Sequence, residues 1–240
     1  MKRINRLGYI AIAASALIAS PALADPITLT AGDVGTSFTL DYNGFSDGKI
    51  VDGLGGSTTF TLKNVTDTGY SFDYSVANTT GNGVTSRISS FAFDTDPDIR
   101  SARSTGTYNF AVLDSKYPNG IGNIDVCFKG GRSNSCAGNS GGVETGLSGS
   151  GSLMLGFAEP VNALTLDNFF VRYQSITGAG NITSASGAAT SSSSTSSGGG
   201  TQVPEPGTLV LFGFGLVGLA FAGRRRGRRN AAPSPRLALA

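Results

Sequence analysis

Hydrophobic and polar residues alternate with a period of two through most of the stretch 25–177. Phe38, Leu40 and Tyr42 alternate with Thr39 and Asp41, and Phe60 and Leu62 with Thr59, Thr61 and Lys63. Tyr70, Phe72, Tyr74 and Val76 alternate with Ser71, Asp73 and Ser75. Leu153, Leu155 and Phe157 follow, then Leu164 and Leu166, then Phe169, Val171 and Tyr173. Strand side chains point to opposite faces in turn, so each segment predicts a strand with one buried face. Turn signals separate them at Tyr42-Asn43-Gly44, Asp52-Gly53, Thr68-Gly69, Thr79 to Gly83 and Pro118-Asn119-Gly120. No stretch inside 25–177 has a helical period. Roughly eight or nine short strands with such turns predict an all-β domain: a single β-sandwich of jelly-roll or immunoglobulin-like type.

The two ends break the pattern. Lys2, Arg3 and Arg6 precede an apolar run from Tyr9 to Ser20, and Pro21-Ala22-Leu23-Ala24 follows with small residues at the two positions that a signal peptidase reads. Residues 1–24 therefore predict a secretory signal peptide cleaved after Ala24. The run is too short for a retained membrane helix, which needs about 20 residues. Residues 178–203 are dominated by Ser, Thr and Gly, a composition that predicts a disordered linker. Then come Val203-Pro204-Glu205-Pro206, an uncharged apolar run of 17 residues from Gly207 to Gly223, and the cations Arg224, Arg225, Arg226, Arg228 and Arg229. The run predicts one C-terminal transmembrane helix, and the arginines hold its far end in the cytoplasm by the positive-inside rule. Segment 204–229 then acts as anchor, with 230–240 as a cytoplasmic tail.

Charge is segregated. The whole chain carries +2, yet residues 25–203 hold nine basic and fifteen acidic residues. An acidic exported domain repels phosphate backbones, which argues against a nucleic-acid partner. Cys127 and Cys136 are the only cysteines. In an oxidising compartment they predict a disulfide that staples the Gly- and Ser-rich loop between them.

Candidate chemistry is sparse. There is no histidine, which removes Ser-His-Asp and Cys-His catalysis in their usual forms and any His-ligated zinc. Trp is absent, which argues against a sugar hydrolase built on paired carboxylates. Asp94, Asp96 and Asp98 are the sharpest candidate: alternate carboxylates within five residues form a possible Ca²⁺ site of oxygen ligands. The competing reading is an acidic turn after a strand.

The tail resembles the PEP-CTERM sorting signal of Gram-negative bacteria that secrete polysaccharide. Val203-Pro204-Glu205-Pro206, the apolar run and the arginine cluster carry the likeness in the right order. The resemblance implies exosortase, a membrane-embedded cysteine protease, as partner, with cleavage near the Pro-Glu-Pro motif. The prolines keep that segment extended, as a protease requires. A permanent anchor is the competing reading. The body is similar to the cistern group of PEP-CTERM proteins at Phe38 to Gly44, Phe91 to Pro97, Asp125 to Gly138 and Leu166 to Tyr173. That likeness implies export and sorting, with no activity to carry over.

The expectation is a non-enzymatic surface or extracellular-matrix protein without a resident cofactor. It would be exported with the help of signal peptidase, anchored in the inner membrane as a precursor, and passed to the cell surface or matrix. Exopolysaccharide is a candidate partner. The alternative is a carbohydrate- or calcium-binding extracellular module.

Overall fold

The period-two segments fold as strands, and residues with weaker patterns join them. The structure, a computed structural model, describes residues 24–138 and 140–195. Its strands are β1 (Ile27–Thr30), β2 (Ser37–Ser46), β3 (Lys49–Thr66), β4 (Gly69–Asn78), β5 (Thr85–Asp96) and β6 (Ser101–Ser104). They continue with β7 (Phe110–Tyr117), β8 (Gly122–Lys129), β9 (Val143–Glu144), β10 (Ser148–Gly156), β11 (Ala163–Thr177) and β12 (Ser184–Thr195). Two short 3-10 turns, Ala31–Asp33 and Gly106–Tyr108, are the only helical elements among the described residues.

The all-β expectation holds, but the ladders form a single sheet. Its order is β6-β10-β4-β3-β2-β12-β11-β5-β8-β7, with β1 added to β11 and β9 to β5. The two end strands, β6 and β7, lie beside each other without a ladder between them, so the sheet nearly closes on itself. The pairing into two sheets expected of a jelly-roll or immunoglobulin-like sandwich is not the connectivity seen. The chain turns the corner with irregularities in the long strands. Register shifts interrupt β2 against β3, β3 against β4 and β11 against β5. Such bulges bend a strand and raise its twist.

Two of the expected turns are bulges of this kind. Asn43-Gly44 lies inside β2 at a register shift, and a Cβ on Gly44 would meet Leu54 at 2.4 Å. Gly53, at φ 88°, lies inside β3. The reversal itself is made by Asp47-Gly48, with φ of 49° and 73°. Two successive positive φ values match the twist of the flanking strands in a tight hairpin.

One aromatic core fills the interior. Phe60 on β3 meets Phe38 on β2 at 5.3 Å, Phe91 and Phe93 on β5 at 5.7 and 6.0 Å, and Phe169 on β11 at 6.4 Å between ring centroids. Edge and tilted contacts of this kind add to the burial of apolar area itself.

The domain extends further than composition predicts. Residues 184–195, expected as disordered linker, form β12, which inserts between β11 and β2. Ala185 and Ala189 are buried in the main core. Gly187 is squeezed so that a Cβ would meet the Asn43 carbonyl oxygen at 2.4 Å and the Tyr173 ring at 2.9 Å. Small residues are what this narrow slot accepts, and a Ser-rich segment supplies them. The expected signal peptide up to Leu23, the sorting motif, the apolar run and the arginine cluster lie outside the described residues. No helix among the described residues is long and apolar enough to cross a membrane.

Candidate functional site

The acidic segment sits where β5 runs out. Past the pair Phe93–Val126, Asp94 Oδ1 accepts from the Asp125 N–H at 3.0 Å, and Asp125 Oδ2 accepts from the Thr95 N–H at 2.8 Å. Each carboxylate thus satisfies a main-chain donor of the other strand where the ladder ends. Asp94 Oδ2 also accepts from Asn168 Nδ2 at 2.9 Å. Asp96 and Asp98 are exposed and flank Pro97. Asp94 is committed to the fold, and no three acidic, cysteine or histidine side chains among the described residues come together to hold a metal. Alternation along a strand puts carboxylates on one face but does not make them converge, as hard-cation coordination requires. Desolvation raises the Asp125 carboxyl above its ordinary range, and Asp94, Asp98 and Asp114 repel its charge, while the bond from the Thr95 N–H opposes the shift.

The expected disulfide is present. Cys127 and Cys136 are joined with 6.2 Å between Cα atoms, and both are fully buried. They belong to a second, smaller core with Ala92, Tyr117 and Ile124, against which Val112, Ile121 and Phe170 pack. Ala92 and Phe170 lie on the opposite strand faces from Phe91, Phe93 and Phe169, so this core covers the outside of β5, β8 and β11. The disulfide loop folds over that face. Ser90 Oγ donates to the Cys136 carbonyl at 3.3 Å, and Gln174 Nε2 to the Ala137 carbonyl at 3.2 Å.

Two buried cations, not singled out by the sequence, organise the same face. Lys129 donates to the carbonyls of Ser133 at 3.0 Å and Ser135 at 2.5 Å, and also to Ser133 Oγ. Burial lowers the Lys129 pKa, but three acceptors around one ammonium occupy its three donors. Such an arrangement orders the loop and leaves no lone pair for a proton acceptor. Arg172 on β11 lies between Ser90 of β5 and Ser186 of β12. With the Asn119 amide oriented by its surroundings, its oxygen accepts from Arg172 Nη1 at 2.9 Å and from the Ser186 N–H at 2.8 Å. Arg172 Nε is buried without a hydrogen-bond partner. A sequence signal existed: Arg172 is a charged residue inside the apolar run Phe169-Phe170-Val171 and Tyr173.

Elsewhere the outward face is hydroxyl-rich. Ser193, Thr39, Thr59, Ser75 and Ser150 lie opposite one another in register across β12, β2, β3, β4 and β10. The neighbouring row is Thr195, Ser37, Thr61, Asp73 and Ser152. Thr39 and Thr59 hydroxyls bond at 2.8 Å, and those of Ser37 and Thr61 at 2.7 Å. The alternation that buries Phe38, Leu40, Phe60 and Leu62 sends these hydroxyls outward.

Nothing in this geometry names an activity, and the decisive observation lies in the tail. Residues 202–226 match the family model of the PEP-CTERM protein-sorting motif. The chain carries a PEP-CTERM sorting signal. That motif implies an exosortase as processing partner, and an exported, membrane-anchored precursor. The match spans Val203-Pro204-Glu205-Pro206, the apolar run and Arg224 to Arg226. No curated protein and no solved structure matches the chain significantly.

Proposed function

We propose that the chain is a non-enzymatic surface or extracellular-matrix protein of the cistern group, routed by its PEP-CTERM signal. A signal peptidase removes residues 1–24 during export. The apolar run from Gly207 to Gly223 holds the precursor in the inner membrane, with the arginines on the cytoplasmic side. An exosortase cuts near Val203–Pro206, and the folded domain passes to the surface or matrix. The observation that carries this reading is the sorting motif at 202–226.

The rest of the molecule agrees with a structural role. Its polar groups are engaged in holding loops: Asp94 and Asp125 close a ladder, and Lys129 ties down the disulfide loop. The outward-facing hydroxyl rows suit a neutral, hydrogen-bonding polymer such as secreted polysaccharide better than a charged one. The test is substitution of Pro204 and Glu205 by Ala in the producing cell, followed by fractionation. The account expects the variant to stay full-length in the membrane while the parent domain is released. Equal release of both proteins would remove the motif from the mechanism.

A further inference from the structure

β12 has two unlike halves. Residues 184–189 lie between β11 and β2 and bury Ala185, Ser186 and Ala189. Residues 191–195 are laddered to β2 alone, opposite Ser37 to Asp41, and all their side chains are exposed. A register shift between Ala189 and Ser191 divides the halves. The first half is thus held on both edges and by the core. The second is held by one ladder and a bond from Ser191 Oγ to Asp41 Oδ2 at 3.5 Å, and buries none of its own side chains.

This matters because so little chain follows. Only residues 196–201 separate Thr195 from the start of the matched motif at Gln202, a reach of at most about 25 Å even when fully extended. A domain of this size has a radius of about 20 Å. With β12 fully paired, the lead between its last paired residue and the motif is short. Freeing residues 191–195 lengthens the lead by up to about 17 Å. We propose that Ser191–Thr195 is a releasable lead: it peels from β2 as far as the register shift so that the sorting protease can take an extended substrate, and it re-pairs with β2 once the tail has been removed. This inference rests on the processing reading above.

Thr39 and Ser193 are directly opposite in the ladder. Opposed Cα atoms in antiparallel pairs are about 4.5–5.5 Å apart, which suits a disulfide. The experiment therefore compares the full-length parent with T39C/S193C and the two single variants in the producing cell, reading the precursor-to-product ratio by immunoblot. The lead predicts several-fold accumulation of precursor in the cross-linked double variant, with both single variants processed like the parent. Inserting six Gly and Ser residues after Thr195 in the cross-linked variant is expected to restore processing. Processing of the cross-linked protein at the parental rate would overturn the lead, as would accumulation that the insertion does not relieve. A parent that is never shortened, or that is shortened equally when Glu205→Ala is introduced, overturns the processing reading instead, and the lead falls with it.

Discussion

Phe60 and Phe93 meet edge to face, 6.0 Å apart at an interplanar angle of 86°, although β2, β12 and β11 stand between their strands in the sheet. The contact crosses the interior and measures how far the sheet has curled. Phe60 is 1% exposed and touches four other rings. Phe60→Ala removes the ring that joins the two sides of the core. The expected cost is about 3–5 kcal/mol, the range for large aromatic truncations in a core. Urea denaturation checks it, with Met154→Ala, at an exposed outward position, as a control expected to change little.

The disulfide holds a loop that is also tied down by Lys129 and by bonds from Ser90 and Gln174 to its carbonyls. Replacing Cys127 and Cys136 together by Ser is expected to cost about 2–3 kcal/mol on the loop-entropy account. Thermal melts under non-reducing conditions check it. Lys129→Met leaves the Ser133 carbonyl without its Lys129 donor and the Ser135 carbonyl with only Ser133 Oγ and the Gly138 N–H, and is expected to lower stability further in the cysteine-free background.

Asp125 links the fold to pH. Its carboxyl is raised in the folded state, so ionising it costs the folded state more than the unfolded one. The penalty is complete well above the folded pKa and fades as pH falls through it towards the ordinary carboxylate range. Asp125→Asn keeps an oxygen to accept from the Thr95 N–H but carries no charge. The variant is expected to melt above the parent at pH 7, with the gain shrinking as the pH falls towards about 4 and gone below it. A gain that stays constant with pH would show that charge is not its cause.

Gly187 tests whether β12 belongs to the domain. Gly187→Val would force a side chain against the Asn43 carbonyl and the Tyr173 ring, and is expected to destabilise markedly. Cutting the chain after Thr183 removes β12 and bares the β2 and β11 edges, whereas cutting after Thr195 keeps both covered. The longer fragment is expected to melt cooperatively and the shorter one to aggregate. Equal behaviour of the two would return 184–195 to the linker.

How much of this was legible from residues alone follows from what each residue type can say. The aromatic alternations at Phe38, Phe60, Tyr70 and Tyr173 announced their strands, because a large ring on every second residue has one use in an exported domain. Gly44 and Gly53 looked like turns and are bulges: glycine marks a special backbone position without saying whether the chain reverses or bends there. β12 was hidden because its core contacts are made by Ala185, Gly187 and Ala189. Their alternation is present in the sequence, but small residues in a Ser-rich run carry almost no hydrophobic signal. The partners of Asp94, which are the Asp125 main chain and the Asn168 amide, could not be read from spacing because both are distant in sequence. The disulfide followed from export and cysteine count, and the sorting signal from the order of three short segments.

The central claim is that the mature protein is the strand-built domain, trimmed at both ends. Intact-mass spectrometry of protein from the medium and the envelope of the producing cell tests it most directly. The account predicts a species that starts at Asp25 and ends between Val203 and Pro206, two hydrogens lighter than the reduced chain because Cys127 and Cys136 are joined. A species in the membrane fraction running through Ala240, with no shorter form anywhere, would contradict it and make the tail a permanent anchor.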